Sequence, residues 1–303
     1  MIATPWGDIE VADAHVHFFS RGFYQLLAAR KAGLTLEKIA ETTGYEVPPE
    51  DPAALADRWA AELDRHGVGA AALIASLPGD EPSVAAAVER HRGRFRGFYM
   101  VNPAGDFAKL EKLAASGNLD AICLFPAMHC FSLHDDRVSR VVAIAARAGA
   151  IVFVHCGKLS IGIRQKLGLP SPFDLRYANP ADLHALALEH PYVNFIIPHF
   201  GAGYLRESLM VCDLCPNVYL DTSSSNAWVR YEGLDLTEVF RRTLAVLSPE
   251  RLLFGTDSSV FPRGWHRAIF DAQIAALHAA GADAAAARAI LGGNFLRLTT
   301  RNR

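Results

Sequence analysis

Nowhere in the 303 residues does an apolar run approach the ~20 residues that a bilayer crossing requires, and the start, MIATPWGDIEVADAHVHF, has no cationic stretch leading into a long apolar one. A soluble, cytoplasmic protein without a membrane partner is expected. An excess of one charge is also lacking. Thirty Lys and Arg face 32 Asp and Glu for a formal charge of −2, so no field draws nucleic acid or an anionic surface. A small-molecule substrate is the expected partner. The five cysteines (Cys123, Cys130, Cys156, Cys212, Cys215) are an odd number without the paired framework of small secreted domains, and are read as reduced thiols. No internal repeat, heptad or low-complexity tract is present. No GxGxxG follows the first strand-like run, which argues against an open dinucleotide-binding sheet; Gly201-Ala202-Gly203 comes only after the sixth.

What is present is alternation. Runs rich in Val, Ile, Phe and Leu at 9–18, 68–75, 95–101, 119–125, 150–155, 193–199, 218–221 and 251–257 read as strands. Segments 83–91, 135–148, 181–190, 234–247 and 265–280 have helical spacing. Eight such repeats predict an α/β fold of the (β/α)8 TIM-barrel type, with 1–303 as one domain. Two segments break the rhythm: 20–52, with its own helical pattern, and 158–180, rich in Gly and Pro. Both are expected to overhang the C-terminal face of the barrel as lids or pocket walls.

The first strand ends in Asp13-Ala14-His15-Val16-His17, and residues two apart on a strand share a face. Two neutral imidazoles at one point suit Zn²⁺, and also Mn²⁺, Fe²⁺ or Co²⁺. An isolated HxH is equally compatible with an ordinary histidine pair. Its position decides, because His155, His199 and Asp257 each terminate a later apolar run. In a barrel all these ends converge on one pocket.

These residues, with Pro198-His199-Phe200-Gly201, Phe254-Gly255-Thr256-Asp257 and the closing Ile290-Leu291-Gly292-Gly293-Asn294-Phe295-Leu296-Arg297-Leu298, make a chain that resembles the amidohydrolase superfamily. The resemblance is to the branch of aminocarboxymuconate semialdehyde decarboxylase-like enzymes, and it spans nearly the whole sequence. It implies His15, His17 and His155 as metal ligands and Asp257 as a further ligand and general base. His199 would bind a second metal, or hydrogen-bond the substrate and transfer a proton. Related binuclear chains place a lysine or an acid on the fourth strand. This one has Cys123 there, so a single divalent ion, with zinc foremost, is expected.

Weaker candidates surround this set. Lys158 and Arg263 lie in loops after His155 and Asp257, where either would suit a substrate carboxylate, and His129 follows the fourth strand. Ser223, Ser224 and Ser225 follow the seventh strand without a GxSxG elbow around them. Cys212-Asp213-Leu214-Cys215 is a lone CxxC and reads as a helix end. The expected reaction is hydrolysis of an amide, lactone or related bond through a metal-activated water with Asp257 as base. Decarboxylation of an aromatic or unsaturated acid on the same site is the alternative, and a silent binding barrel a third. A homodimer is the default assembly.

Overall fold

The computed structural model describes residues 1–105, 107–223 and 227–300. A short antiparallel ribbon, β1 (Ile2–Thr4) and β2 (Gly7–Ile9), precedes the main sheet. Eight parallel strands follow in chain order: β3 (Val11–His17), β4 (Val68–Ala75), β5 (Phe95–Val101), β6 (Ala121–Leu124), β7 (Ile151–Val154), β8 (Phe195–Ile197), β9 (Val218–Asp221) and β10 (Leu252–Leu253). Each pairs with its sequence neighbour. β3 and β10 share no regular ladder, yet the circle closes just beyond β10. Ala14 N donates to Phe254 O at 2.8 Å, Asp257 N to His15 O at 2.9 Å and His17 N to Ser258 O at 2.7 Å. The TIM barrel read from the sequence is therefore the observed fold. Among the described residues no helix is long and apolar enough to cross a membrane.

The barrel interior is filled by small residues facing large ones. Ala12, Ala14, Ala70 and Ala72 of β3 and β4 stand against Phe98, Phe125 and Phe153, and Phe295 of the C-terminal helix plugs the lower end. Asn294 fastens that helix by donating to the carbonyls of Pro249 and Leu252, which accounts for the closing sequence signature. The larger apolar layer between strands and helices takes the alternate residues Val11, Val16 and Phe18. One irregularity matters for function. The β3–β4 register shifts between Asp13 and Val16, so that Ala14 and His15, although consecutive, both face inward. Such a bulge re-aims side chains at the end of a strand.

The two long insertions fold against each other. Helices Arg21–Ala28 and Leu36–Thr43 from the first are capped by Ser20 and Thr35, and helix Gly162–Lys166 comes from the second. Phe23, Leu27 and Ile39 pack with Leu77, Ile163 and Leu167 into a separate small core above the strand ends. Lys31 Nζ donates to Leu167 O at 3.0 Å and Lys166 Nζ to Thr43 O at 3.3 Å, joining the insertions at their edges. The expected lid is thus a two-part wall with its own hydrophobic centre.

Candidate metal centre

Asp13 organises the end of β3. Its Oδ1 accepts from His15 N at 3.0 Å and Thr256 N at 3.1 Å, and its Oδ2 accepts from Thr256 Oγ1 at 2.6 Å and Trp265 Nε1 at 2.8 Å. Burial nevertheless pushes this carboxyl up to about 6, since four hydrogen bonds only partly replace lost water. The network ties the first strand to the loop after the last. Gly255 is needed at that junction: a Cβ there would lie 2.8 Å from His15 Cβ and 2.9 Å from Ser223 Cβ.

His15 is 1 % exposed. Its Nδ1 lies 2.7 Å from Asp221 Oδ2, so Nδ1–H donates and the Nε2 lone pair is left toward Asp257 at 3.7 Å. Burial alone would push this imidazole down, but Asp221, through charge and hydrogen bond, and then Asp257 and Asp13 together lift it. His17 is oriented in the same manner. Ser76 Oγ donates to Ile74 O at 3.2 Å and so accepts from His17 Nδ1–H at 2.6 Å. The His17 Nε2 lone pair then faces Asp257 Oδ1 at 3.1 Å. Two acceptor atoms at that distance repel unless a proton or a metal ion lies between them, and with a proton there His17 Nε2–H donates to the carboxylate.

Asp257 and His199 both sit on left-handed backbone, with φ of 59° and 56°. Non-glycine residues pay for that conformation, and it turns each side chain off its strand into the barrel mouth. Burial works against an ionised Asp257, but the hydrogen bond and charge of His17, then the charges of His15 and His199, hold its carboxyl well below the usual range. Its side chain stays 35 % exposed, toward the cavity. Ser223 Oγ stands between His15 Nδ1 at 2.9 Å and His199 Nδ1 at 2.8 Å. His155 stacks on Phe125 with ring centroids 5.1 Å apart, and burial, then the neighbouring His199 and His15, hold it neutral. Its Nδ1 is buried without a hydrogen-bond partner, an unfilled valence of the kind a metal ion takes up. Gly157 lets the His155 loop lie on the His199 loop: at φ 77°, its added Cβ would collide with the carbonyl of Gly201.

The donor atoms of His15, His17 and Asp257 lie within 4.8 Å of one another. A second group, His15, His199 and Asp221, meets the same limit. There, however, the His15 nitrogen nearest Asp221 is already committed to a hydrogen bond. The first group, whose Nε2 lone pairs are free, is the better cation cradle; His155 lines the cavity above it but is part of neither group. Asp221→Asn is expected to weaken metal affinity about 10- to 100-fold by releasing His15, with little change in thermal midpoint. Chelator competition on purified protein measures it, and an unaltered dissociation constant would show that Asp221 does not orient the ligand.

The cavity above these residues has a volume of about 250 Å³. Phe19 and Phe23, stacked at 4.0 Å, form one wall, and Ile161 and Ile163 of the second insertion another. Arg263 lines it, its guanidinium donating to Ser259 Oγ at 3.1 Å. Lys158 is not brought to it; its Nζ lies over the Tyr231 ring, 5.3 Å from the centroid. His129 belongs to an adjoining cavity. Ser224 and Ser225 lie outside the described residues, whereas Ser223 is in the centre. Cys123 is buried in the barrel interior and its thiol is pushed far up by burial, which disfavours a bridging thiolate. Cys215 terminates helix Leu205–Leu214, and the carbonyls of Cys212 and Cys215 accept from Arg251, so the CxxC is a helix end.

Sequence reasoning left Asp13, Ser76 and Asp221 without roles. For Asp221 the signal was available, since it ends a strand as His155 and Asp257 do.

Comparison with known proteins agrees with this fold. An 89-residue stretch is 33% identical to part of Protein fluG of Emericella nidulans, covering 29% of this chain and only 10% of that protein. Among solved structures, a dihydroxybenzoic acid decarboxylase from a Polaromonas species, with bound manganese and 2-nitroresorcinol, superposes with a TM-score of 0.65 at 14% identity, covering 98% of each chain. A candidate 2-pyrone-4,6-dicarboxylic acid hydrolase from Pseudomonas putida does so with 0.62 at 20% identity, covering 96% of this chain and 98% of that one. Residues 12–298 match the amidohydrolase family model, and the chain belongs to that family.

Proposed function

We propose that this protein is a metal-dependent hydrolase of a small molecule, cleaving an amide, lactone or related bond. The observation that carries the reading is Asp257, an ionised carboxylate open to the cavity and within 3.1 Å of His17 Nε2. His15, His17, His155 and Asp257 would hold one divalent ion, and mixed imidazole and carboxylate donors suit zinc or manganese. When bound, such an ion supplies a Lewis acid that polarises a carbonyl and makes water more acidic. Asp257 accepts the proton of the attacking water, a task for which a carboxylate facing the substrate space is placed. His199, its Nδ1–H donating to the Ser223 carbonyl at 3.2 Å, is left with its Nε2 lone pair and is positioned to accept a hydrogen bond or a proton from the substrate. Arg263 at the cavity edge offers a fork for a substrate carboxylate.

Decarboxylation is the second reading, favoured by that same arginine beside an aromatic wall. It requires a proton delivered to carbon, whereas the cavity floor carries the ionised Asp257 carboxylate and two imidazoles, His155 and His199, held neutral by burial. A parallel screen of lactones, amides and aromatic acids on the metal-loaded enzyme, reading hydrolysis and CO₂ release together, separates the two. Hydrolytic turnover lost in Asp257→Asn is expected; CO₂ release without hydrolysis would overturn it.

A further inference from the structure

A second cavity, of about 280 Å³, adjoins the first and shares Leu77, Met128 and Arg164 as its wall. Its polar lining consists of Arg30, Arg164, His129 and Asn102, and no described acidic residue lines it. Arg30 comes from the first insertion and Arg164 from the second, so the facing lid segments each contribute a cation.

These charges are uncompensated. Arg164 donates only to the carbonyl of Pro170, and its guanidinium is disfavoured by burial and by the charge of Arg30. Among the described residues neither arginine has a carboxylate within ion-pair distance. His129 Nδ1 is buried without a partner, and burial together with Arg30 lowers this imidazole to about 4, so it is neutral. Arg30 is exposed and Arg164 partly buried, so water screens the two in part, but a pair of cations beside an unpartnered polar nitrogen and no carboxylate favours an anion in this cavity.

We propose that this second cavity is an anion subsite, in which Arg30, Arg164 and His129 hold a carboxylate or phosphate at the far end of the substrate. The inference rests on the reading that the reacting bond lies at His17 and Asp257. It makes the substrate an elongated molecule with an acidic group at the end away from the metal. Arg263, on the wall of the first cavity, serves the near end.

Calorimetric titration of the zinc-loaded protein tests this with straight-chain carboxylates of graded length that end in methyl, carboxylate or phosphonate. At the matching length, an anionic far end should tighten binding about tenfold or more, the scale of a charge-assisted pair. Arg30→Gln should remove most of that preference and leave affinity for the methyl-ended acid unchanged. Arg164→Lys, which keeps the charge but loses the fork, should lose part of it. A stronger preference for phosphonate identifies a phosphorylated substrate and one for carboxylate a diacid; both support the subsite. Equal affinity for all three ends at every length, or a preference surviving Arg30→Gln, would overturn it. Failure of the underlying reading has a different signature: binding that is indifferent to zinc.

Discussion

Substituting His17 with alanine is expected to reduce bound metal from about one equivalent per chain to less than about a tenth, and to bring turnover to background. Of the proposed ligands, His17 is the one whose geometry is most completely determined by its surroundings. Ser76, itself committed to Ile74 O, occupies Nδ1 and leaves Nε2 aimed at Asp257. Among the described residues, alanine leaves Asp257 with His15 Nε2, at 3.7 Å, as the one imidazole within ion-pair distance, and it removes one donor from the set. Added zinc should raise the thermal midpoint of the parent protein, since a ligand at a thousand times its dissociation constant contributes about 4 kcal/mol. It should leave that of His17→Ala unmoved. Metal analysis and thermal unfolding with and without zinc check both statements, and a variant retaining full metal would exclude His17 from the donor set.

Phe153→Ala should cost about 3–5 kcal/mol of stability. Phe153 is fully buried at the centre of the barrel, 6.3 Å from the Phe98 ring and 6.4 Å from that of Phe125. The alanines of β3 and β4 opposite have no side chain with which to fill the void. His15 rests on this ring at 5.3 Å, so the cavity also frees the imidazole and lowers metal affinity. Phe95→Ala, equally buried but in the outer layer, should cost a similar amount of stability without the loss of metal binding. Denaturant unfolding paired with metal titration distinguishes the two effects. Equal metal affinity in both variants would mean that Phe153 does not support His15.

Much of this architecture was legible in the order of residues. β4, β5 and β9 begin and end where their apolar runs do. β8 and β10 stop short of their runs, and there His199 and Asp257, written as the last residues, adopt positive φ and leave the strand direction. Side-chain pattern carries no sign of that. The register shift in β3 is equally silent, although it lets His15 follow Ala14 into the interior. Residues that terminate strands could be assembled from topology alone, which is why His15, His17, His199 and Asp257 meet. Loop cations could not: Lys158 lies on Tyr231 and His129 beside Arg30, because their places depend on how the two insertions pack.

The seam between first and last strands has a consequence for how the protein is made. Asp13 and Thr256, which join it, are 243 residues apart, and Asp257 N–H reaches back to the His15 carbonyl. During synthesis from the N-terminus, His15 and His17 emerge early but stay without Asp257 until the eighth βα unit has been translated. Contacts of such sequence separation form late. On the proposed ligand set, metal capture is consequently one of the final events in the biogenesis of this protein, and ribosome-bound chains halted before β10 are expected to have no centre to load.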